Sequence, residues 1–223
     1  MKLASHYALR LLAVTCLVPL ASTAWADDGG KWYGKLYGGY SMLGDTSFDQ
    51  EGVAAAGATG DTDSDGGFLA GGAVGYNFTN NIAAELAWDY ITNDTTATFS
   101  DGTRSTDGDF SSSIFFLNGF YKFDPVSNTK IRPYLGAGIG YVEEIDMDLK
   151  IGPSETSYSS DGDFAYQIMA GASYPITDRF DFNTDIRYVR VDSVDLEREG
   201  GTGKLKSVDY DPVILTLGAS YKF

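Results

Sequence analysis

The chain has 223 residues, a formal net charge of −15, 43% hydrophobic and 14% aromatic residues, one cysteine and one histidine. Such an acidic balance argues against nucleic acid as a partner, because phosphate binding needs clustered Lys and Arg, and it disfavours adsorption to anionic lipid heads. Cys16 and His6 both lie near the N-terminus, so the rest of the chain is expected to hold no disulfide, thiol nucleophile, His-assisted serine site or His-containing metal site.

In chain order, Lys2 and Arg10 flank a short positive region, residues 11–20 form an apolar run, and Ala24-Trp25-Ala26 supplies a small-residue cleavage pattern. The run is shorter than the roughly 20 residues of a membrane helix, so residues 1–26 are read as a secretory signal peptide and residues 27–223 as one domain. The processed domain carries 14 basic and 31 acidic residues, net −17. No later apolar run reaches the ~18 residues of a spanning helix, so any crossing of a membrane is expected to use strands.

Eight segments of period-two alternation follow, near 32–42, 67–78, 82–91, 110–123, 133–142, 164–174, 180–189 and 211–223. In the last, "LTLGASYKF", Leu215, Leu217, Ala219, Tyr221 and Phe223 share one face. That apolar face needs a core or a bilayer. In "PYLGAGIGY", Leu135, Ala137, Ile139 and Tyr141 oppose Tyr134, Gly136, Gly138 and Gly140. The glycine run lacks the third glycine and the helix of a dinucleotide site and is read as room for side chains from neighbouring strands.

"TNN" after the second segment, "DPVSNTKIR" after the fourth and "PITDR" after the sixth are short or turn-like connections, whereas those after the first, third, fifth and seventh run to about twenty residues rich in Asp, Gly, Ser and Thr. In an up-and-down meander this puts short turns at one end and long loops at the other. An eight-stranded barrel encloses a lumen only just wide enough for side chains, which suits glycine and paired polar groups better than Phe and Leu. The apolar faces are therefore placed outward. Lys35, Glu85, Asp89, Asn118, Gln167, Asp185 and Arg187 then face inward as a polar network, with Lys35 or Arg187 pairing Glu85 or Asp89. The network is read either as a plug or as the lining of a narrow, gated pore. Phe78, Tyr121, Phe123, Tyr174, Phe180, Tyr221 and Phe223, with Trp32 and Tyr33, cluster at the short-turn end as an interfacial girdle.

"WYGKLYGGYS", "AGGAVGYNF", "PYLGAGIGY", "FAYQIMAGASYPITDRFDFNTDIRY" and the terminal "YKF" together resemble the OmpA-like eight-stranded outer-membrane barrels, the porin or surface-antigen family of Gram-negative bacteria. The resemblance implies an all-β, antiparallel, up-and-down transmembrane barrel in the cell outer membrane, surrounded by lipid and lipopolysaccharide. It also implies that Tyr221 and Phe223 form the signal read by the barrel-assembly machinery. No further domain is expected after Phe223, so the cell-wall tethering of two-domain members is not implied.

No catalytic pair stands out among the many carboxylates, and neither enzyme activity nor a cofactor is expected. "DTDSDG" at residues 61–66 matches the start of a calcium loop, but its twelfth position is Gly72 instead of Glu; a solvated acidic loop competes with specific binding by Asp61–Asp65. No feature of the sequence sets an oligomeric state. The leading functional expectation is a structural and surface protein contributing to envelope integrity, with acidic loops available for adhesion or ligand contact. The alternative is a narrow channel for small or hydrophobic solutes.

Overall fold

The computed structural model describes residues 32–43, 46–51, 59–99, 107–151, 154–160, 162–198 and 204–223, with side chains described for 32–43, 66–94, 109–146, 159–160, 162–191 and 210–223. The signal peptide expected over residues 1–26 lies outside them.

The alternating segments form strands β1 (Trp32–Met42), β3 (Thr59–Asn77), β4 (Ile82–Phe99), β5 (Asp107–Lys122), β6 (Arg132–Ile151), β8 (Phe164–Pro175), β9 (Phe180–Arg198) and β11 (Val213–Lys222), with three shorter strands, β2 (Thr46–Glu51), β7 (Ser154–Ser160) and β10 (Lys204–Tyr210). All pairings are antiparallel, and β1 pairs β3 on one side and β11 on the other, closing the eight long strands into a barrel. Closure gives each of the eight described strands a neighbour on both sides, the condition for a β-structure in lipid.

The period of two decides which side chains meet lipid. Leu36 is 75% exposed between Lys35 and Tyr37, which are buried, and Leu217 is 55% exposed beside Thr216 at 1%. Leu135, Ile139, Ile168, Ile186 and Leu215 are exposed in the same way. A soluble surface rarely carries an apolar patch beyond a few hundred Å², yet here the outer wall is such a surface on every strand. At about 3.3 Å per residue and a tilt near 40°, the ten steps of β1 rise ~25 Å, the height of an outer-membrane apolar band.

One threonine device closes all three short turns. The Thr79 Oγ1 accepts the amide N–H of Asn81 and Ile82 at 3.1 and 3.0 Å, and Thr177 does the same for Arg179 and Phe180 at 3.3 and 3.0 Å. Thr129 accepts from Ile131 at 3.2 Å, beside Asn128 at φ 61°. Such side-chain acceptors replace partners the backbone lacks where pairing stops. Next to these turns lies the aromatic girdle, tied by edge contacts of Trp32 with Tyr76, Tyr76 with Phe78 and Tyr121 with Phe123. Tyr33 does not belong to it: its ring is buried in the lumen, as its spacing of two from Lys35 requires.

The long connections differ from the expected loops. β3, β4, β6 and β9 run on for seven or more residues past the lipid-facing stretch, and β2, β7 and β10 pair with them, so that β3, β4, β5, β6, β7, β9, β10 and β2 close a second ring above the first. Three staves are thus interrupted strands, broken between β1 and β2, between β7 and β8 at Gly162 (φ 82°), and between β10 and β11 at Asp211 and Pro212. These segments have the acidic composition of loops, but alternation persists in them, as in "IDMDLKI". Residues 59–66 are correspondingly strand, with Asp61 facing Thr98 and Asp63 facing Thr96, and not the sharp turn that a calcium loop needs at its sixth position. The side chains of residues 61–65 lie outside those described.

Candidate functional site

Lumen-facing side chains are arranged in rows, each built on a glycine. Tyr33 of β1 pairs Gly75 of β3, which pairs Glu85 of β4, and across the empty glycine position the Tyr33 hydroxyl donates to Glu85 Oε1 at 2.8 Å. Four residues on, Tyr37 reaches over Gly71 to Asp89, and after four more Ser41 reaches over Gly67 to Asn93 at 3.0 Å. A Cβ at Gly75 would lie 2.3 Å from the Tyr33 ring, and one at Gly71 2.5 Å from Asp89 Oδ1. The far wall repeats the construction: Tyr134 donates over Gly171 to Asp185 at 2.8 Å, and Gln167 donates over Gly138 to Asn118 at 2.8 Å.

These rows hold a charged layer. Arg187 donates through Nε to Asp185 at 2.9 Å and through an Nη to Asp89 at 3.1 Å, while Lys35 lies 3.6 Å from Asp185. β9 and β4 are four staves apart in a ring of eight. The Arg187–Asp89 pair therefore crosses the full lumen, with the Tyr37 ring centroid 4.6 Å from the guanidinium. Below it, toward the short turns, a cavity of about 30 Å³ is lined among others by Lys35, Glu85, Lys122, Asp181 and Lys222. Layer and cavity together carry four cations, Lys35, Lys122, Arg187 and Lys222, and four carboxylates, Glu85, Asp89, Asp181 and Asp185. The acidic excess of the chain thus lies elsewhere.

Above the charged layer the lumen departs from the expected polar filling. Ile91, Ile114, Phe116, Val142, Val189 and Ile214 are fully buried members of one apolar cluster. It is capped by Tyr210, stacked on Phe110 at 4.9 Å and hydrogen-bonded to Ser112 at 2.9 Å. Aliphatic side chains fill this level without hydrogen-bond partners, and burial of each stabilises by about 1.5–3 kcal/mol.

All seven residues assigned inward from the sequence are buried. Lys35, Asp89, Asp185 and Arg187 meet in the charged layer, and Asn118 and Gln167 form an amide pair nearby. Glu85 is held by Tyr33 instead of a cation. Tyr37, Asp181, Asn183, Lys122 and Lys222 were not singled out, although each keeps the same two-residue spacing.

The model of the outer membrane protein beta-barrel domain matches residues 11–223. The chain belongs to that family. It is 27% identical to outer membrane protein W of Escherichia coli K12, over 95% of this chain and 96% of the relative, and 25% identical to outer membrane protein AlkL of Ectopseudomonas oleovorans, over 91% of each. Among solved structures, the outer membrane protein OprG of Pseudomonas aeruginosa superposes with a TM-score of 0.61 at 19% identity, covering 87% of this chain and 97% of that one. Neisserial surface protein A superposes at 0.54 and 17% identity, covering 88% and 100%. The protein is an outer-membrane β-barrel of a Gram-negative bacterium, which places the short turns in the periplasm and the second ring outside.

Proposed function

We propose that this barrel acts as a closed wall, a structural and surface protein that contributes to envelope integrity and offers an acidic external rim for adhesion or ligand contact. The reading rests on the Arg187–Asp89 pair, which spans the lumen with both side chains at most 2% exposed. No catalytic role or cofactor is assigned; the sole His and Cys are residues 6 and 16. Outer-membrane lipid and lipopolysaccharide are the surroundings of the apolar wall. Tyr221 and Phe223 are the proposed signal for the barrel-assembly machinery. In support, the Phe223 N–H donates to the Trp32 carbonyl at 3.1 Å, and its ring packs on Tyr221 and lies 3.7 Å from where a Cβ of Gly34 would stand. The last residue thereby sits on the closing seam. Planar-bilayer recording tests the closed wall: the wild type is expected to show no reproducible open state, and steady unitary steps that vanish with a bulky Gly138→Trp substitution would overturn it.

A second reading, passage of small hydrophobic solutes, is favoured by the apolar upper lumen. Here a lipophilic dye would enter proteoliposomes faster with the wild type than with Ile114→Trp, and equal rates would remove this reading.

A further inference from the structure

The periplasmic girdle packs ring against ring. Phe68 and Tyr90, at the outer end of the apolar wall, do not: both are exposed, and neither pairs with another ring among the described residues. They flank a groove of about 650 Å³ on the outward side of β3, β4 and β5, whose polar lining is Thr92, Asp94, Asp109 and Ser111. Room for it comes from the bulge between Ser64 and Gly67 in β3, opposite Asp94, where Gly66 adds no side chain. Asp94 stands twelve residues beyond Ile82 on β4, a rise of ~30 Å at a tilt near 40°. The groove therefore lies just above the apolar band, with Trp88 and Leu86 leading down from Tyr90 on the same exposed face. Its lining offers carboxylates, hydroxyls and ring faces but no cation, and Asp94 forms no ion pair among the described residues. No Lys, Arg or His occupies positions 66–77, 82–94, 109–121 or 133–146, the described parts of β3 to β6 above the periplasmic turns, so a phosphate finds no partner there.

We propose that this groove binds the head of an amphiphilic primary amine, an ammonium carried on an apolar tail that lies along Trp88 and Leu86. A carboxylate and two open aromatic faces attract a cation. An alkylammonium also has three N–H donors in need of acceptors, and Asp94, Thr92 and Ser111 offer oxygens in one place. A quaternary ammonium has the charge but no N–H to give, an alkyl sulfate has the wrong sign, and a short free amine lacks the tail. The groove is outside the lumen, so its occupancy does not depend on whether the lumen conducts.

Octylammonium titrated into the protein in a neutral detergent at constant ionic strength is expected to change Trp88 emission saturably. The reading is made in a Trp32→Phe background, where Trp88 is the sole tryptophan outside residues 1–26. Half-saturation should rise about tenfold in Asp94→Asn, and about tenfold with octyltrimethylammonium, each having lost a charge-assisted hydrogen bond. Tyr90→Leu should weaken binding as well, and octyl sulfate and ethylammonium should give no saturable change over the same range. Should these variants fail to fold, intermolecular NOEs from the octylammonium chain to the Phe68 and Tyr90 rings of the wild type serve in their place. A response that only grows linearly, as partition into the micelle would, or one that is unchanged in Asp94→Asn, overturns the proposal. So do equal binding of the trimethyl compound, the sulfate or ethylammonium, and NOEs confined to the apolar wall below Trp88.

Discussion

The lumen solves the same filling problem twice, in different ways. In the periplasmic half, Lys35, Asp89, Asp185 and Arg187 are matched donor to acceptor over glycines that leave space for each reach. In the outer half, Ile91, Ile114, Phe116, Val142 and Val189 simply pack. The lower half is specified partner by partner; the upper half is specified by volume. A directional layer fails when one partner goes, because what remains is a buried charge, whereas a packed layer fails in proportion to the space left behind.

The sharpest break in that comparison is Arg187→Ala, which takes the ion-pair partner from Asp89 and leaves Asp185 with Lys35 at 3.6 Å; a loss of about 3–5 kcal/mol is expected, read from the urea midpoint of the heat-modifiable gel shift. The double variant Asp89→Leu/Arg187→Leu removes the crossing pair together and should recover much of that loss. If it is as unstable as the single variant, the lower half is not partner-specified. In the packed half, Phe116→Ala should cost roughly 3 kcal/mol by opening a cavity, and Phe116→Leu clearly less; equal costs would contradict filling by volume. Gly71→Ala tests the reach from β1 to β4 across β3. Its Cβ would meet Asp89 and the Tyr37 ring at 2.5 Å, so about 1–3 kcal/mol of overpacking is expected, against almost none for Gly119→Ala, where nothing lies within 4 Å. Smallest is Tyr33→Phe, which deletes one hydrogen bond to Glu85 at a cost of about 1–2 kcal/mol, measured by tryptophan fluorescence on unfolding.

Alternation made the wall and the inward charges legible: a strand that reads Phe180, Phe182, Ile186 against Asp181, Asp185, Arg187 has only one orientation in lipid. The apolar upper lumen was harder to see because both faces are greasy there. Its mark is the local loss of alternation, at Phe115-Phe116-Leu117, Tyr141-Val142 and Val213-Ile214-Leu215, where one face meets acyl chains and the other a dry interior. Tyr33 fits a girdle by composition, as an aromatic near a turn, while its parity with Lys35 puts it inside. The glycine rows needed the register. Only pairing shows that Gly67, Gly71 and Gly75 each stand between a β1 donor and a β4 acceptor. The upper strands were obscured by Asp, Ser and Thr, which suit turns as readily as a paired, water-facing ladder.

The second ring carries a consequence for anything that tries to cut the protein from outside the cell. An endopeptidase holds its substrate as a lone extended chain, but residues 46–49, 145–151 and 204–206 are already hydrogen-bonded to neighbours. Nicking there must wait for the ladder to open, so the rim is hydrolysed at the rate of local unfolding and not at the rate of encounter.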